Sequence, residues 1–158
     1  MNRVAAFLVL SGALLAACAR HEATNNWLAS AEAAHRRADR ELPAGDVNGA
    51  RDVLRRAAEA EPPSDANDLD ARAVRKDLYY RLALLEVEHG TPEAAVRAAT
   101  DGLALGTGKD VFTANLEIVR GHAYEKLGNA ALASRDYHDA LLVTEALLDR
   151  SLGGPEKP

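Results

Sequence analysis

One cysteine, Cys18, stands in the 158-residue chain, so no internal disulfide can form. The five histidines, at positions 21, 35, 89, 122 and 138, include no pair at the i, i+4 spacing of a helical metal site, with one another or with the cysteine. They read as surface or groove residues. No serine sits in a nucleophile-elbow context, and the 24 acidic residues read as solvated charge on helical faces. Leu105-Gly106-Thr107-Gly108-Lys109-Asp110 has the look of a phosphate loop. Leu103, however, occupies the place of its upstream glycine and Asp110 that of its hydroxyl residue, so it reads as a helix–helix turn. No catalysis, metal or dissociable cofactor is therefore expected. A formal charge of −5 without clustered lysine and arginine argues against nucleic acid as a partner. Aromatics are only 4% of a chain that is 47% hydrophobic, much of it alanine, which favours close helix–helix packing over a sheet sandwich. No stretch alternates with period two, so no sheet is expected.

What the chain does contain starts at its first residues. Met1 to Arg3 is a short positive end, and Val4 to Leu15 is an apolar run broken only by Ser11 and Gly12. Those twelve residues would span about 18 Å as helix, too little for the roughly 30 Å hydrocarbon layer, so the run reads as a secretion leader. It ends on Leu15-Ala16-Ala17-Cys18, which resembles the lipobox of bacterial lipoproteins. The resemblance implies diacylglyceryl on the Cys18 thiol, cleavage before Cys18 and acylation of the new amine. Residues 1–17 are then the signal peptide, and the covalent lipid on Cys18 is the only bound group. Three acyl chains exceed the two signals that stable anchoring requires. Ala19 stands where an aspartate would resemble the inner-membrane retention signal of enteric bacteria. Its presence favours the periplasmic face of the outer membrane, with the inner membrane as the alternative. Residues 18–26 comprise the lipidated cysteine and a polar tether, which reaches at most about 28 Å.

The remainder has helical periodicity throughout. Apolar spacing predicts helices over about Asn26–Leu42 and Val47–Ala60, the second stopped by Pro62-Pro63. Asn67 or Asp68 caps a long helix that reaches His89 and ends at Gly90. Thr91-Pro92-Glu93 opens a fourth helix, which stops at Gly106. Asp110 caps a fifth to Leu127, and Gly128-Asn129 turns into a sixth ending near Arg150. The domain spans 27–150, and 151–158 reads as a disordered tail.

Three segments align with one another: Gly45 to Ala50, Gly90 to Ala95 and Gly128 to Ala133. In each, a turn glycine precedes an alanine by five residues, and a small residue follows seven later, at Ala57, Gly102 and Ala140. The last copy, Gly121-His122-Ala123-Tyr124-Glu125-Lys126-Leu127-Gly128 through Ala133, Tyr137 and Ala140, resembles the tetratricopeptide repeat. The first copy adds Leu54 in the place of Tyr137, and Pro62 where that repeat has its closing proline. The resemblance covers residues 27–148 and implies an all-α solenoid of about three helix pairs. Small residues (Ala38, Ala83 and Gly121 in the first helices; Ala50, Ala95 and Ala133 in the second) would let paired helices cross closely. Gly121 and Ala133 would face each other, and Leu54 or Tyr137 would fill the space between neighbouring pairs. The glycines are spaced 45 and 38 residues apart, against about 34 in a regular repeat. Glu117 and Arg120 also replace large apolar residues, and Ala99 a bulky one.

In that repeat family ligands lie along a concave surface formed by the first helix of each pair. Alignment places Glu32, His35 and Asp39, then Tyr80, Leu84 and Val87, then Asn115, Ile118 and His122 on it. Tyr80, Leu84, Val87, Ile118 and His122 are the candidate partner-binding strip, either an open groove for an apolar side chain or inter-helix core. On the sixth helix Leu132, Ala133, Tyr137, Ala140, Leu141, Val143, Leu147 and Leu148 cover about half the circumference, more than the fifth helix can bury. Only eight residues follow Arg150, so part of that face is expected to stay exposed and to bind another chain. The free edge is either Leu141 with Leu148 or Val143 with Leu147. The expected function is a membrane-anchored adaptor or scaffold for an envelope complex such as an assembly machine, secretin or peptidoglycan enzyme. Its partner would be another protein or a second copy of itself. The alternative is an accessory subunit or small-ligand carrier, with Tyr80, His122 and Tyr124 around a closed pocket.

Overall fold

Every helix after the first begins where the sequence supplies an acceptor for amides that have no partner in the first turn. The structure, a computed structural model, describes residues 3–106 and 108–153, with side chains from residue 22 onward. It is all-α: α1 (Arg3–Glu41), α2 (Val47–Glu59), α3 (Asp68–His89), α4 (Pro92–Ala104), α5 (Val111–Lys126) and α6 (Ala130–Ser151). No strand occurs among the described residues. Asp46, Thr91, Asp110 and Asn129 each accept from the N–H three residues on, and Asn67 accepts from Leu69 and Asp70. Pro92 adds its pre-set φ and missing N–H at the first position of α4. Gly45 (φ 85°) and Gly128 (φ 71°) take left-handed conformations at the ends of α1 and α5. Gly90, with φ −116°, does not, so the second turn of the internal repeat is built differently.

The first helix departs from expectation. Instead of starting near Asn26 it runs from Arg3, through the leader and through the segment read as a tether. Between Gly12 and Pro43 there is no glycine or proline, so nothing in the covalent chain interrupts the ladder. As helix, 19–26 rises about 12 Å rather than extending to about 28 Å. Of the predicted tail 151–158, Ser151 still belongs to α6 and residues 152–153 form a turn, while residues from 154 onward, like the Cys18 side chain, lie outside the described residues. Among the described residues no helix is long and apolar enough to cross a membrane.

Each helix packs on the next along the chain, and α1·α3 and α3·α5 also touch. Among the described helices α6 packs on α5 alone. Small residues make these approaches possible: Ala38, Ala50, Ala83 and Ala95 are wholly buried, and Ala133 nearly so. At Gly102 a methyl group would stand 2.9 Å from Tyr79 of α3 and from Leu116 of α5, so α4 is held against both helices at once. Leu54 of α2, Leu78 of α3 and Leu116 of α5 centre a shared core.

One predicted contact is corrected. A methyl group at Gly121 would meet Tyr137 Cε1 at 2.5 Å, and its three nearest neighbours are all atoms of that ring rather than Ala133. Tyr137 therefore fills the α5–α6 crossing from within its own pair, instead of the space between neighbouring pairs.

Candidate interaction surfaces

Charges taken out of water need partners, and three cross-helix pairs supply them. Between α2 and α3, Arg51 Nε donates to Glu86 Oε1 at 2.7 Å, and Arg55 adds a longer contact at 3.6 Å. Between α3 and the start of α5, the buried Lys76 ammonium donates to Asp110 Oδ2 and Thr113 Oγ1, both at 2.8 Å. Burial alone would raise the Asp110 carboxyl, but Lys76 and the Thr113 N–H and hydroxyl outweigh it and hold it below its ordinary value. Between α5 and α6, Arg120 grips the fully buried Asp136 bidentately, at 2.6 and 2.9 Å. Arg120 is thus accommodated between α5 and α6 because α6 offers it a carboxylate. Two helix ends are also closed from outside: Arg75 donates to Ala58 O at 2.9 Å and Lys126 to Val87 O at 2.6 Å.

Glu117, the other departure, has no such match. Its Oε2 is buried without a hydrogen-bond partner. Burial, with Asp139 and Asp136 nearby, pushes its carboxyl up to about 7 against the pull of Arg120.

The predicted strip divides between core and surface. Tyr80, Leu84 and Val87 on α3 are half-buried and pack against the core, whereas Ile118 (40% exposed) and His122 on α5 face solvent. Asn115 is half-buried. The His122 ring meets Tyr137 edge-on, with centroids 5.7 Å apart. The α1 group serves largely to tie α1 to α3. His35 Nδ1 accepts from Arg81 at 3.1 Å, its Nε2 lies 3.2 Å from Asp77, and Asp39 pairs with Arg81. Burial lowers the His35 pKa, Asp77 opposing and Arg81 reinforcing, consistent with a neutral ring between them. Glu32 is exposed and pairs with Arg36 one turn along.

On α6 the open edge is the Leu141/Leu148 side. Leu141 is 54% and Leu148 56% exposed, joined by Leu142 at 50% and Leu152 at 76%, while Val143 and Leu147 are half-buried. Beside this stripe lies a shallow, mostly apolar groove lined by Glu125, Gly128, Ala130, Ala133, Ser134 and Tyr137. Tyr137 OH donates to Glu125 Oε2 at 2.7 Å, fixing one wall. The sequence does not single out this groove or Leu152; the helical wheel alone places Leu141 and Leu148 with Tyr137. No family model matches the chain, and no curated protein matches its sequence.

Proposed function

We propose that this chain is a lipid-anchored, tetratricopeptide-like adaptor that holds another protein of the cell envelope near the membrane. The anchor rests on Leu15-Ala16-Ala17-Cys18 behind a short apolar run, and on the absence of any other cysteine. The observation that most supports a repeat scaffold is the serial packing of six helices. Consecutive helices touch, odd-numbered helices also touch, and the aligned small residues Ala50, Ala95 and Ala133 are all buried. Exposed Ile118 and His122 on α5 and the leucines of α6 are the surfaces offered for binding, by the helix-in-groove or apolar-anchor modes. The lipid would place the domain at a membrane surface, the outer membrane being the reading that Ala19 favours.

The test is crosslinking in the native membrane followed by identification of what co-purifies. A parallel Cys18→Ser variant should lose labelling by a fatty-acid analogue and fail to mature. Unchanged acylation in Cys18→Ser would falsify the anchor. Recovery of no crosslinked protein from wild-type membranes would count against the adaptor.

A further inference from the structure

The three aligned second helices can be compared position by position. Leu141 of α6 aligns with Leu103 of α4 (38 residues earlier) and with Ala58 of α2 (45 earlier still). Leu103 is 7% exposed and Ala58 not at all, in a core shared with α3 and α5. Arg75 of α3 even closes the Ala58 carbonyl. The same seat on α6 has no described helix over it, and Leu141 is 54% exposed. The fold therefore shows twice what covers this face: another helix with an apolar seam.

We propose that a second copy of the chain supplies that helix, its α6 lying antiparallel on the first. The stripe matches itself in this arrangement. Leu141 and Leu148, seven residues apart, fall within about 20° of each other on the helix. A two-fold axis between positions 144 and 145 sets Leu141 against Leu148 of the second copy, and Leu148 against its Leu141. The same axis brings Leu152 to Tyr137 of the second copy. Tyr137 walls the shallow groove on α6, so Leu152, the most exposed leucine among the described residues, comes against that ring. Both pairs, 141 with 148 and 137 with 152, share one midpoint, which an isologous interface requires. Among Ser134, Tyr137, Leu141, Thr144, Glu145, Leu148 and Leu152, only Glu145 is charged, and in this register it faces Thr144 of the second copy. The pairing goes beyond the adaptor reading and leaves Ile118 and His122 to a different partner.

Sedimentation of the full-length chain in non-ionic detergent tests it. Wild type should show the protein mass of two chains at high concentration, and Leu141→Asp with Leu148→Asp that of one, with unchanged helicity. Register is tested by oxidation in a Cys18→Ser background. A mixture of Leu141→Cys and Leu148→Cys chains should give a mixed disulfide dimer, and neither variant alone should crosslink comparably. If the double aspartate variant loses helicity, this oxidation experiment decides. A wild type that stays monomeric at every concentration overturns the proposal, as does mass unaffected in a folded aspartate variant or preferential 141–141 crosslinking. A monomeric wild type that still crosslinks to an envelope protein would overturn self-pairing while leaving the adaptor standing.

Discussion

At Gly121 two opposing effects can be separated. Alanine is a better helix former than glycine by about 1 kcal/mol, yet here its methyl would stand 2.5 Å from the Tyr137 ring. That ring is held by Glu125 and by the edge of His122, so it cannot move away freely. Overpacking of this kind costs about 1–3 kcal/mol. Gly121→Ala should therefore lower Tm in the wild type, but raise it relative to the single Tyr137→Ala variant, where only the propensity gain remains. Thermal unfolding of the four proteins of this cycle measures the coupling, and additive effects would mean that the ring does not press on Gly121. Ala133→Leu should also destabilise, by about 1–3 kcal/mol, because Ala133 is almost wholly buried. Glu117 makes a different prediction. Its carboxyl is raised from 4.5 to about 7 in the fold, so folding favours its protonated form. The stability this group allows is complete below about 4.5 and lost as pH rises through about 7. Glu117→Gln should leave Tm near that of wild type at pH 5 and raise it at pH 8. An equal shift at both pH values would show that the carboxyl is solvated and paired.

Element boundaries were legible in the sequence because they depend on neighbours in the chain. Asn67, Thr91 and Asp110 cap helices where the sequence places caps, and Asp46 and Asn129 supply acceptors at two starts that apolar spacing and a glycine turn alone indicate, since an N-cap needs only an acceptor two or three residues from the amide it serves. The start of α1 was not legible, because a leader and a continuous helix share the same apolar, glycine-poor composition. Partners across helices were not legible either. Arg120 read as a departure from an apolar pattern, and only the α5–α6 crossing shows that Asp136 receives it. Tyr137 was assigned to the wrong gap for the same reason: periodicity gives a residue's face but not the atom opposite. The Arg120–Asp136 pair can be tested as an element-scale link. Asp136→Ala leaves a guanidinium uncompensated in a mostly buried site and should cost about 3–5 kcal/mol. Replacing the pair together, with Arg120→Met and Asp136→Leu, should restore most of that loss, because apolar packing often equals a buried ion pair. Chemical denaturation of both proteins decides it; equal loss in the two would make the pair indispensable to the crossing.

For the whole molecule, the question is how a surface for binding is told apart from a surface that holds the fold. Tyr80, Leu84 and Val87 lie against the core, so truncating them removes packing whatever else they do. A binding loss in Tyr80→Ala would therefore be ambiguous. Ile118 is 40% exposed, and His122 is exposed apart from its edge contact with Tyr137. Ile118 makes the cleaner probe. Ile118→Asp removes a side chain that is 40% exposed and places a charge where water already reaches, so the monomer should stay folded with a loss of about 1–2 kcal/mol. A partner that seats an apolar side chain there would meet an unpaired carboxylate, and its recovery by membrane crosslinking should fall at least about tenfold, as expected for loss of a central anchor. The α6 variants Leu141→Asp and Leu148→Asp provide the control, because they alter a different face. If Ile118→Asp reduces recovery and the α6 pair does not, the partner sits on the odd-numbered helices and α6 is free for a second copy. If only the α6 pair reduces it, the foreign partner occupies the face of α6 whose counterparts on α2 and α4 are buried. Unchanged recovery in both would mean that neither apolar face carries the proposed function.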